Sequence, residues 1–198
     1  HAAAGDWILA QLEQSDLQPL AGGFELLQPM EHDRTRWMLD EAGDVVPAPQ
    51  QVMGRQFLAV LPGSDPNLAD EYVVLMAHYD HNGVNQQGDV QNGAFDNAVA
   101  VASLLELARV LTEQDVAFPR SLLLLFTDLE EEGLIGAHTW VDSASVPLAT
   151  VALAISLDPL GRGMLPDFAP LAVLGSERCA GHRAIWADIA ERLEVPII

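Results

Sequence analysis

Four places in the chain bring together residue types that can bind a cation or move a proton. His78 and Asp80 follow the apolar run "YVVLMA" in "HYDHNG"; Asp96 lies in "NGAFDNA"; Glu130, Glu131 and Glu132 follow "SLLLLFTDL"; Asp158 follows "VALAISL". Each alone has an ordinary reading. A His after a strand is usually a turn or surface residue, an Asp before a helix is usually an N-cap, a Glu run is usually a solvated face, and Asp before Pro is turn chemistry. Taken together they point elsewhere, because buried carboxylates set close to one another repel unless they are protonated or bridged by a cation. Carboxylates and imidazole without thiolates suit zinc or a similar borderline ion in a catalytic site. Two ions sharing a carboxylate would clamp and acidify a water for attack on a carbonyl. That reaction also needs a base that is not a ligand, and adjacent glutamates can divide the two tasks. Residue chemistry alone does not rank Glu130, Glu131 and Glu132 for them.

The elements that must carry these residues are legible in outline. "YVVLMA", "SLLLLFTD" and "VALAISLDP" are too short for typical helices and too continuous for half-solvated strands, so strands buried on both faces are expected. "RQFLAVLPG" is a further strand stopped by "LPG", and "GFELLQPM" and "RTRWML" are shorter candidates. Between the first two runs, "NAVAVASLLELARVLTEQ" sets Val101, Leu104, Leu105, Ala108 and Leu111 on one helical face. "GLIGAHTWVDSA" supplies a shorter helix, and "HAAAGDWILAQLEQ" an amphipathic one without the basic start of a signal peptide. Strands alternating with helices imply an α/β fold, and in such sheets functional groups gather at the carboxyl ends of strands.

Composition bounds the function classes. With 198 residues, 49% of them hydrophobic, the chain can bury the core of one domain. It carries 29 acidic residues against nine basic ones, all Arg, for a formal net charge of -20. That balance repels phosphate backbones and anionic lipid, so neither nucleic acid nor a membrane surface is an expected partner. The single cysteine, Cys179, can form no intrachain disulfide and leaves the compartment open. No apolar run approaches the ~20 residues of a membrane span.

The segments "VVLMAHYDHNG", "NGAFDNAVAVASLLELARVL", "RSLLLLFTDLEEEGLIGA" and "ISLDPLGRG", in this order and at these separations, resemble the zinc-dependent aminopeptidases of family M28. The resemblance covers residues 52 to 163 well and the N-terminal third in outline. It implies a single-domain α/β/α sandwich around a mostly parallel, mixed sheet, two Zn2+ ions and a peptide substrate, and it favours a secreted or periplasmic setting. Carried over by residue, His78 becomes a ligand of one zinc, Asp80 the carboxylate that orients its ring, and Asp96 the bridging ligand. The family's EExGLxG pattern falls on residues 130 to 136, which makes Glu130 the general base, Glu131 a ligand and Glu132 neither. Asp158 becomes the terminal carboxylate on the zinc of His78, and His81 is expected to orient a loop rather than bind metal.

Two departures accompany the resemblance. "AVA" stands where the family usually has Ala-Ser-Gly after "GAFDN", at a helix start. The family's late His ligand has no matching motif before Ile198; the one His after Asp158 is His182, which precedes an amphipathic run and reads as a helix-start or surface residue. The chain is therefore expected to lack the C-terminal portion of the domain. Hydrolysis that removes N-terminal residues from peptides is the leading expectation. A one-zinc glutaminyl cyclase and a non-catalytic binding relative are the alternatives, and metal stoichiometry and turnover of an aminoacyl chromogenic amide separate them.

Overall fold

The computed structural model describes residues 2–20, 22–32, 36–160, 171–178 and 181–197. Cys179, the Arg34–Thr35 start of "RTRWML" and the Gly161–Gly163 end of the last motif lie outside them. The chain divides into two compact units, residues 1–160 and 161–198.

In the first unit, helix α1 (Ala2–Glu13) leads into strands β1 (Glu25–Glu31), β2 (Trp37–Leu39), β3 (Val45–Pro47), β4 (Gln51–Leu61) and β5 (Tyr72–His78). An irregular turn, Ala94–Ala98, then opens α2 (Val99–Glu113), followed by β6 (Ser121–Thr127), α3 (Ile135–Asp142) and β7 (Val151–Ser156). Five strands form a mixed sheet in the order β1-β4-β6-β5-β7, and β2 and β3 form a separate hairpin. β4 runs antiparallel to β1 and β6, whereas β5 is parallel to both β6 and β7. The second unit contains α4 (His182–Leu193), which His182 opens, and a bridge between Leu171 and Ile197.

Side chains alternate across a strand, so the central strands divide their apolar residues between two cores. Phe57, Ala59, Leu124 and Phe126 face α1 and α2, meeting Ile8, Leu12, Val101 and Leu104. Their neighbours Leu58, Val60, Leu123 and Leu125 face the other way, against Trp140 of α3 and Val146. Helices therefore cover both faces of the sheet, as an α/β/α sandwich requires. All of β6 is buried, and each fully buried Leu or Phe there contributes roughly 1.5–3 kcal/mol. β7 departs from the expectation of burial on both faces. It borders the sheet among the described residues, and its residues alternate between half-buried and exposed. The apolar run "VALAI" hides this because Ala152 and Ala154, at the exposed positions, are too small to mark a solvated face. Among the described residues no helix is long and apolar enough to cross a membrane.

Candidate metal centre

Because β5, β6 and β7 are mutually parallel, their carboxyl ends reach the same edge of the sheet. His78 is the last residue of β5 and pairs with Thr127, the last of β6. Beyond Thr127 the chain turns sharply: Leu129 takes a left-handed conformation, and the amides of Gly133 and Leu134 both donate to the Glu130 carbonyl at 2.8 Å. Asp158 follows β7 by two residues. These three strand ends bring His78, Glu130 and Asp158 into one cluster, with a donor atom of each within 4.8 Å of the others. His81, Asp96 and Glu131 form a second cluster by the same measure.

Asp96 lies between the two clusters. Its Oδ1 is 3.2 Å from His78 Nε2, which also lies 3.3 Å from Asp158 Oδ1 and 3.8 Å from Glu130 Oε2. In the second cluster, His81 Nδ1 is 2.6 Å from Glu131 Oε1. Among the described residues, His81 supplies that cluster's imidazole. The Asp96 Oδ1 atom is buried and receives no well-formed hydrogen bond, since the nearby ring nitrogen meets it as a charge contact only. A buried acceptor left in this way among carboxylates and imidazoles fits a cation.

Asp80 holds this edge together from beneath. Its carboxylate accepts the Glu130 amide at 2.9 Å on Oδ1 and the Glu131 amide at 3.2 Å on Oδ2. The His78 Nδ1 faces the Asp80 carbonyl at 3.2 Å and the carboxylate at 3.6 Å, so the backbone makes the closer contact and the carboxylate acts through its charge. Asp80 thus positions both the ring and the glutamate turn, and the second of these contacts has no trace in the sequence. Burial lowers the His78 pKa, but the Asp80 carboxylate, aided by Asp158 and Glu130, outweighs it and raises the ring to about 9. Without a cation, the imidazolium supplies the positive charge the carboxylates require. Glu130 is pushed up, first by burial and then by Asp158, Asp80 and Glu131, against the opposing pull of His78.

Two glycines permit this geometry. Gly93 has φ +62, and a Cβ there would come 2.8 Å from both the Asp96 carbonyl and the His81 side chain. At Gly136 a Cβ would fall 2.0 Å from the Asp128 carbonyl, so the start of α3 can approach the glutamate turn only without a side chain.

Glu132 points away from both clusters. It is buried and pairs with Arg36 Nε at 2.9 Å, with His32 Nδ1 at 3.7 Å. Removing one partner of such a buried pair costs roughly 3–5 kcal/mol. Nothing in the sequence pattern singles out Arg36, because its partners lie far along the chain.

Comparison with solved structures finds the same fold in several proteins. A Zn-dependent exopeptidase from Parabacteroides distasonis shares the fold at 20% identity and a TM-score of 0.62, covering 96% of this chain and 61% of its own. A glutaminyl cyclase from Porphyromonas gingivalis matches at 23% identity and a TM-score of 0.68, covering 100% and 66%. A leucine aminopeptidase precursor from Bacteroides thetaiotaomicron matches at 20% and 0.58, covering 96% and 62%. The chain therefore spans about three fifths to two thirds of the length of these relatives. A search of curated proteins found no significant match. The profile of Peptidase family M28 matches residues 57–192, a span that contains both clusters and every strand that ends in them, and the chain belongs to that family.

Proposed function

We propose that this protein is a zinc aminopeptidase that releases N-terminal residues from peptides. The observation that carries the reading is the pair of clusters meeting at Asp96, each with one imidazole and at least two carboxylates in reach of a single cation. His78 and Asp158 would hold one ion, Glu131 the other, and Asp96 both. A bound zinc pair supplies Lewis acidity, polarising the scissile carbonyl and acidifying a water. Glu130, directed into the first cluster without being needed as a ligand, accepts the proton of the attacking water on its carboxylate and passes it to the departing amine. Asp80 fixes the amides of Glu130 and Glu131, so base and ligand keep their separation while the proton moves.

The glutaminyl cyclase likeness favours a second reading, a transferase that closes an N-terminal glutamine with one cation. Metal content per chain, measured beside turnover of leucine p-nitroanilide and cyclisation of a Gln-initiated peptide, separates them. Two zinc ions with amide hydrolysis are expected. One zinc with cyclisation alone would sink the peptidase reading.

A further inference from the structure

We propose that Arg36 is a positioning residue that locks the loop carrying His81 to the turn carrying Glu130 and Glu131. Its guanidinium has two partners on two different segments. Nε meets the Glu132 carboxylate at 2.9 Å, and Nη2 donates to the His81 carbonyl. Glu132 is the residue after Glu131, and His81 is the residue after Asp80, so one side chain fastens both segments beside the residues that face each other across the second cluster. The same two segments also meet through the Asp80 carboxylate on the Glu130 and Glu131 amides and through the His81–Glu131 contact, so Arg36 adds a fastening that comes from a third segment.

The guanidinium is held by a framework. The Arg36 carbonyl accepts the Ala48 amide at 2.8 Å, which fixes its backbone to the far side of the β2–β3 hairpin. Trp37, the next residue, pairs with Val84 in the His81 loop, and Val84 pairs in turn with Val90. His32 braces Glu132 from the other side and is itself tied to the Pro49 carbonyl at 2.9 Å. Arg suits this position because its planar fork can donate in two directions at once, whereas the ammonium of Lys would meet Glu132 without reaching the carbonyl in the same plane. The Glu132 side chain is only 3% exposed and that of Arg36 13%, so solvent does little to screen the pair.

The inference rests on the two-ion reading for its metal consequence and stands apart from it for its mechanical one, so two measurements are needed. In the metal-free full chain, amide hydrogen exchange across residues 79–83 and 129–134 should rise about 10-fold or more in Arg36→Met, while residues 57–60 of β4 keep their rate. On zinc titration by calorimetry, the same variant should lose about 10-fold to 100-fold in affinity for one ion and keep the other close to the parent value. Arg36→Lys should recover part of both losses. Because Arg36→Met leaves Glu132 buried without its cation, the double variant R36M/E132M is measured beside it; it removes the stranded charge yet should still show fast exchange in the His81 loop. Parent-like exchange at both segments in the folded variants would overturn the proposal, as would acceleration no greater than that of β4. A parent protein that binds fewer than two zinc ions would instead overturn the two-ion reading, with the exchange result still deciding the role of Arg36.

Discussion

The two clusters are built by different means. His78 ends β5 on its ladder with β6 and is only 3% exposed, and Glu130 and Asp158 lie three and two residues beyond β6 and β7, so the parallel sheet anchors this cluster closely. The second cluster draws His81 from a loop, Asp96 from an irregular turn and Glu131 from one position further round the glutamate turn. Ladder pairing fixes a strand end with the stability of the whole sheet behind it, whereas a loop residue keeps its place only through local contacts. A centre of this kind is rigid on one side and held by discrete fastenings on the other. The second side is therefore where sequence change alters the centre without unfolding the protein.

The largest expected effect lies on the rigid side. Glu130→Gln should lower turnover by about 100-fold or more through loss of the general base, while zinc content by elemental analysis stays at the parent level. If Glu131→Gln instead kept its metal and lost only rate, the two glutamate roles would be exchanged. Removing the residue that joins the clusters should come next: Asp96→Ala lowers both zinc affinities, Asp158→Ala mainly that of the His78 cluster, each by at least about 10-fold. Calorimetry that found one ion lost equally in both variants would remove Asp96 as a bridge. Gly136→Ala tests the approach of α3 to the glutamate turn. With a Cβ placed 2.0 Å from the Asp128 carbonyl, it should cost about 1–3 kcal/mol in thermal or urea unfolding.

The last effect is read in the metal-free protein. The folded-state pKa of His78 is raised from 6.5 to about 9, so its stabilising contribution is complete below pH 6.5 and is lost as pH rises through 9. Stability should fall across that window by at most about 1.4 kcal/mol per pH unit, and His78→Gln should flatten the slope in urea titrations at several pH values.

Much of this was legible in the sequence, for a physical reason. "YVVLMA" and "SLLLLFTD" are continuous because β5 and β6 lie inside the sheet, and parallel pairing then carries whatever follows them to one edge. Asp80, Asp96 and the glutamates could be singled out because their residue types are costly at strand ends without a purpose. β7 misled because its alanines suit either environment. The hairpin strand β3, "VVP", is too short to register as a strand and owes its form to pairing with β2. Arg36 was invisible for a different reason: its partners His81 and Glu132 are joined to it only by the fold, and neither spacing marks a helix face or a strand alternation. Glu132, read from the sequence as a position without a task, is one of the most deeply buried charges among the described residues.

The pairing of His78 with Thr127 and of Met76 with Ser156 carries a consequence for how the chain finds its fold. A slip of one residue between β5 and either neighbour would shift His78 by about 3.3 Å and turn it to the opposite face of the sheet. The buried side chains of β6 tolerate such a slip only at a cost, because each would have to refill a space shaped for its neighbour. A cation held by His78 and Asp158 has no such tolerance, since it binds only when the strands are in step. By mass action, free ion at 100 times its dissociation constant favours that arrangement by about 2.7 kcal/mol over all those that cannot bind it. The ion that would polarise the substrate would thus also proofread the sheet, and refolding in its presence would reinforce the alignment that the buried side chains already favour.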